Sequence, residues 1–140
     1  MRTVEDEEGK RYVLLKRSGD SSRVRDPTTG EERYVPNGEL SAVEGESPLE
    51  TAARAVPEPT RRVLRAAHSD RALGLLLELD ERGPVAVVDL MGSYDLCESD
   101  LHGLLAEFTA AGLVSEARVV GQRGYELTDV AEEGLATLRG

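Results

Sequence analysis

The stretch ESDLHGLLAEFTAAGLVSEARVVGQRGYELT, Glu98 to Thr128, decides how this chain folds. Leu101, Leu104, Leu105, Phe108 and Ala111 recur at spacings of three and four, which predicts a helix from Cys97 to Ala111 with a single apolar stripe. Gly112 follows at the position where a left-handed residue ends a helix. Leu113-Val114 opens a strand. Arg118-Val119-Val120 and Tyr125-Glu126-Leu127-Thr128 then form the arms of a hairpin with Gly121-Gln122-Arg123-Gly124 at its tip. Thr128 or Asp129 caps a last helix that runs to Leu138.

Working back from Cys97, a turn is expected at Tyr94-Asp95-Leu96, a helix over Val88 to Ser93 and a short strand over Val85 to Val87. Ahead of these, Ser69 caps a helix in which Leu73, Leu76, Leu77 and Asp80 keep helical spacing until Gly83-Pro84 stops it. The order is helix, strand, helix, turn, helix, hairpin, helix. With Leu101, Leu105 and Phe108, AAGLV at Ala110 to Val114 and YELTDVAEEG at Tyr125 to Gly134, the chain resembles winged helix-turn-helix regulators of the MarR-like and ArsR-like kind. The resemblance covers residues 70–140. It implies that Cys97 to Ala111 is the recognition helix and Gly121 to Gly124 the wing tip.

Before residue 70 the chain divides into two further segments. Residues 47–69 read as a helical connector: Ser47-Pro48-Leu49-Glu50 is a capping box with Pro at the first helical position, and Pro59 opens a second helix, Thr60 to Ala67. Residues 1–46 read as an acidic leader (Glu5, Asp6, Glu7, Glu8) followed by a three-stranded antiparallel meander. Its strands are Tyr12 to Arg17, Ser22 to Arg25 and Glu31 to Val35, with a turn at Asp26-Pro27-Thr28-Thr29-Gly30. The expected fold class is therefore α+β, a winged helix-turn-helix domain preceded by a small β-meander and a helical connector.

Charge complicates the functional reading. The chain carries 17 Lys plus Arg against 27 Asp plus Glu, a formal net charge of -10, opposite to that of an ordinary DNA-binding domain. The basic residues are 15 Arg and only 2 Lys, beside abundant Glu, Gly, Ala and Val, a composition resembling that of proteins from extreme halophiles; GC-rich codon usage gives a similar bias. In molar salt the Debye length falls to roughly 3 Å, and overall acidity then no longer excludes a polyanion. The positive charge is local: Gly9 to Pro36 holds 7 basic and 4 acidic residues. That segment is either a platform for nucleic acid or a partner, or a small sheet that keeps its arginines in water.

The recognition helix itself carries Glu98, Asp100 and Glu107 and no cation. Its exposed N-terminal positions offer Ser99, His102 and Gly103 to a groove, while phosphates would be met by Arg118, Gln122 and Arg123 on the wing and by Arg61, Arg62 and Arg65 ahead of the domain. Two functions from different classes follow. One is a transcription regulator that binds duplex DNA as a homodimer through helices Pro48 to Ala67 and Asp129 to Leu138; the other is a protein-interaction adaptor that keeps the fold without touching DNA.

Catalysis and metal binding have little support. No phosphate loop, nucleophile elbow or paired catalytic carboxylates occur, so no enzyme and no cofactor are expected. Cys97, Asp100 and His102 are a metal-ligand set in kind but do not fall on one helix face, and His68 reads as a helix-end residue. One cysteine excludes an internal disulfide and a paired-cysteine zinc ribbon. With no apolar signal region and no run near ~18 residues, no membrane contact and a cytoplasmic location are expected.

Overall fold

The computed structural model describes residues 1–140 as two compact units, Met1–Val56 and Pro57–Gly140. The segment expected as one connector, 47–69, is divided between them. Their formal charges are -3 and -7. The chain is α+β with antiparallel sheets.

In the first unit the expected meander is present as β2 (Arg11–Arg17), β3 (Ser21–Arg25) and β4 (Glu32–Pro36). It is the middle of a larger sheet. β1 (Arg2–Glu5) and β5 (Ser41–Ala42) extend it in the order β4-β3-β2-β1-β5, so Glu5, expected in an acidic leader, ends a strand, and Asp6 to Glu8 lie in the turn that follows it. The physical cause is Asp6, whose Oδ1 accepts from the Glu8 and Lys10 amides at 2.9 and 3.0 Å, while Gly9 takes φ 83°. That side-chain turn folds β1 back on β2 and sets Val4 opposite Tyr12. Val4, Tyr12, Val24 and Val35 form the small apolar cluster inside the sheet.

On the other face lies α1 (Pro48–Ala52), which begins with the capping box expected at Ser47 and Glu50. Thr51 bonds the Thr3 hydroxyl at 2.6 Å and also donates to the Glu46 carboxylate. Glu46 accepts from Arg11 at 2.5 Å and Arg54 at 2.7 Å as well. The Thr51 hydroxyl first, then the Arg54 and Arg11 guanidiniums, outweigh the effect of burial and lower the Glu46 pKa to about 2.

The second unit follows the expected order closely. Its elements are α2 (Glu58–Ala66), α3 (Asp70–Arg82), β6 (Val85–Ala86), α4 (Val87–Ser93), α5 (Glu98–Ala110), β7 (Val114–Val119), β8 (Gln122–Leu127) and α6 (Asp129–Arg139). Ser69 caps α3 by accepting from the Ala72 amide, and Gly83 leaves it at φ 73°. Leu101, Leu105 and Phe108 of α5 are fully buried among Leu76 and Leu79 of α3 and Leu90 of α4. Truncating Phe108 to Ala in such a site costs roughly 3–5 kcal/mol. The Thr128 hydroxyl donates to the Gly112 carbonyl at 2.7 Å and caps α6 through the Ala131 amide, joining the end of α5 to the start of α6.

One expectation changes here. The hairpin reverses at Val120-Gly121, not across Gly121 to Gly124: Val119 pairs with Gln122, and both turn residues take positive φ, 50° and 77°. Gly124 is a strand residue whose added Cβ would stand 2.4 Å from the Val85 carbonyl oxygen, so it serves the close approach of β6 to β8. Helices α2 and α6 pack closely on each other. A Cβ on Gly134 would stand 2.5 Å from the Pro59 carbonyl oxygen and 2.9 Å from a Val63 methyl.

Candidate nucleic-acid interface

The site is built on the β7–β8 hairpin and the exposed side of α5. Glu116, Arg118, Arg123 and Tyr125 alternate onto one hairpin face, because Glu116 pairs with Tyr125 and Arg118 with Arg123 in direct register. Arg123 donates from Nη2 to Glu116 Oε1 at 2.7 Å and to the Tyr125 hydroxyl at 2.9 Å. These bonds, Glu116 first, raise the Arg123 pKa. Arg118 donates to the Gly121 carbonyl at 3.2 Å, which holds it over the turn. Gln122, which pairs with Val119, is exposed on the opposite face, and Val120 at the tip is 98% exposed.

On α5, Ser99, His102 and Gly103 are all exposed. His102 Nε2 lies 3.6 Å from Glu98 Oε1 one turn earlier, and Ser99 Oγ lies 3.3 Å from Cys97 Sγ. The first turn is acidic, with Glu98 and Asp100 at the helix N-terminus, where carboxylates are favoured by the backbone dipole. Gly103 presents open space: a Cβ there meets nothing within 4 Å.

The α2 arginines are elsewhere. Arg62 and Arg65 share Glu58 Oε1 at 3.0 and 3.7 Å, Arg61 is half-buried, and a Cβ on Gly112 would stand 3.1 Å from Arg62 Nη1. Arg62, Arg65 and His68 thus line a concavity with Glu107 and Gly112 at the C-terminal end of α5. At 1.5 Å per residue that end is about 20 Å from Ser99. The structure brings Arg118 and Arg123 together on one hairpin face, sets Gln122 on the other, and leaves the α2 arginines at the C-terminal end of α5, away from Ser99, His102 and Gly103.

The residue that sequence reasoning missed is Glu116, the direct partner of Arg123. The signal was present in the alternation of Glu116 and Arg118 along one strand. Placing the tip at Gly121 to Gly124 hid it, since that register puts Arg123 in a loop.

A family of unknown function, DUF7346, matches residues 1–139. The chain belongs to that family. No curated protein matches it. Because the DUF7346 match runs through both units, the sheet unit and the helical unit occur together in the family. No helix of the DUF7346 chain is long and apolar enough to cross a membrane.

Proposed function

We propose that residues 70–140 are a winged helix-turn-helix domain, with α5 as reading helix and β7–β8 as wing, and that the chain is a cytoplasmic transcription regulator that binds duplex DNA as a homodimer. The order of elements and the burial of α5 against α3 and α4 support the fold reading. The observation that carries the functional reading is the Arg118–Arg123 pair, two cations held side by side on an exposed strand face next to the turn. Like charges directly opposite each other are unfavourable in a sheet; Glu116 offsets one of them, and a phosphate that displaces Glu116 can meet both arginines. In this reading α5 orients the domain through Ser99, His102 and Gly103, and the wing supplies the attraction. No catalytic step and no cofactor are assigned. Leu64 and Leu138, 55% and 46% exposed, are the apolar side chains that α2 and α6 leave for a second copy.

Titration of labelled duplex DNA at several KCl concentrations tests this. Log affinity should fall linearly with log salt, and Arg123→Ala should reduce the slope by about 0.9, one phosphate contact. Absence of binding at every salt concentration at which the chain stays folded would remove the DNA reading.

A second reading, a protein-interaction adaptor on the same fold, draws on Glu98 and Asp100 at the exposed start of α5 and on Glu116, which already neutralises Arg123. It requires that duplex DNA not bind at all, and the same titration separates the two.

A further inference from the structure

Cations of the first unit without a carboxylate partner lie on both faces of its sheet, Arg2, Arg17 and Arg33 on the face of Val4 and Val24, and Lys16 and Arg25 on the other. On β3, Arg23 and Arg25 alternate outward while Ser22 and Val24 face the core; on β4, Glu32 and Tyr34 point outward and Val35 inward. Register places Lys16 of β2, Arg23 of β3 and Tyr34 of β4 on a single rung, three strands wide. With strands about 4.8 Å apart, that rung is about 10 Å across. Tyr34 is 64% exposed and no hydrogen bond engages its hydroxyl. Arg23 is held by Glu32 at 2.7 Å, whereas Lys16 and Arg25 have no carboxylate partner.

We propose that this face binds a segment of single-stranded nucleic acid, with a base stacked on Tyr34 and the backbone phosphates on Lys16, Arg23 and Arg25. Over β2 to β4 this face sets Lys16, Arg23 and Arg25 against one carboxylate, Glu32, a local sign opposite to that of the chain as a whole and complementary to a polyanion; towards β1 the same face carries α1, with Glu5 and Glu46 on Arg11. The flat, unengaged ring selects among polyanions, because every base offers a face to stack on and an acidic peptide does not. A single strand fits better than a duplex, whose bases are already stacked on one another. This site is separate from the wing and does not depend on it.

The test is fluorescence anisotropy of a labelled oligothymidylate of about 12 nucleotides against the full chain, at the lowest KCl concentration at which circular dichroism shows it folded. Binding is expected, weakening with salt. Tyr34→Ala should lower affinity about tenfold and Tyr34→Phe should retain it, since the ring and not the hydroxyl makes the contact. Lys16→Gln should reduce the salt slope by about 0.7. The proposal is overturned by no binding, by binding indifferent to Tyr34→Ala, or by polyglutamate competing as well as the oligonucleotide.

Discussion

Arg118 and Arg123 face each other across the β7–β8 hairpin, and Glu116 on the same face takes one of them as its partner. The hairpin therefore holds one engaged and one weakly tethered cation beside its turn. Releasing the engaged one should strengthen any phosphate contact. Glu116→Gln is expected to raise duplex affinity about fivefold, on the order of 1 kcal/mol. Fold stability should change by less than about 1 kcal/mol, because the pair is exposed. Unchanged or weaker binding in a titration would show that Arg123 does not meet DNA.

The turn offers a test of strain. Val120 is a β-branched residue at φ 50°, almost fully exposed and followed by Gly121 at φ 77°. Two positive φ values in a two-residue loop are those of a type I′ turn, for which Asn-Gly is preferred. Val120→Asn should stabilise the helical unit by about 1 kcal/mol, read as a higher thermal midpoint. A lower midpoint would mean that the valine makes a contact worth more than its strain.

Glycine to alanine substitutions should divide by sign. At Gly103 a Cβ meets nothing, and removing glycine from a helix interior gains about 0.5–1 kcal/mol. At Gly124 and Gly134 the Cβ would meet backbone carbonyl oxygens at 2.4 and 2.5 Å, so each should cost more than about 2 kcal/mol. Chemical denaturation of the three variants measures this. A stable Gly124→Ala would refute the close β6–β8 approach.

Acid should weaken the sheet unit before the helical one. Glu46 is held at about 2 against an ordinary value of 4.5, and Asp26 is lowered by the Lys10 ammonium at 2.7 Å. Both are depressed in the folded state. Their stabilisation is fully present above the unfolded-state carboxylate values and is lost as pH falls from about 4.5 towards about 2. For Glu46, 11% exposed, the loss is on the order of 2–3 kcal/mol. Glu46→Gln should flatten that pH dependence. Hydrogen exchange of β1 and β2 amides at pH 5 and pH 3 reads it, and equal protection at both would contradict it.

The helical unit was legible because its signals are local. Ser69, Gly83, Gly112 and Thr128 mark helix ends where they stand in the sequence, and the Leu101–Phe108 stripe names its own buried face. What sequence could not supply were pairings made at a distance. β1 carries charge at Arg2 and Glu5, precedes an acidic run and acquires strand character only from β2 and from the two residues of β5. Gly124 carries a turn residue's identity for a packing reason, the Val85 carbonyl, and that moved the expected tip by several residues. The α2 arginines, which precede the domain in sequence, reach the C-terminal end of α5, a placement set by the α2–α6 packing around Gly134.

The most direct measurement of DNA binding through the wing is the change in backbone amide NMR resonances of the full chain when short duplex DNA is added. Shifts should concentrate at Arg118 to Arg123 and at Ser99 to Gly103, and should diminish as KCl is raised. Resonances that stay in place at the hairpin while others move, or that do not move at all, would contradict it.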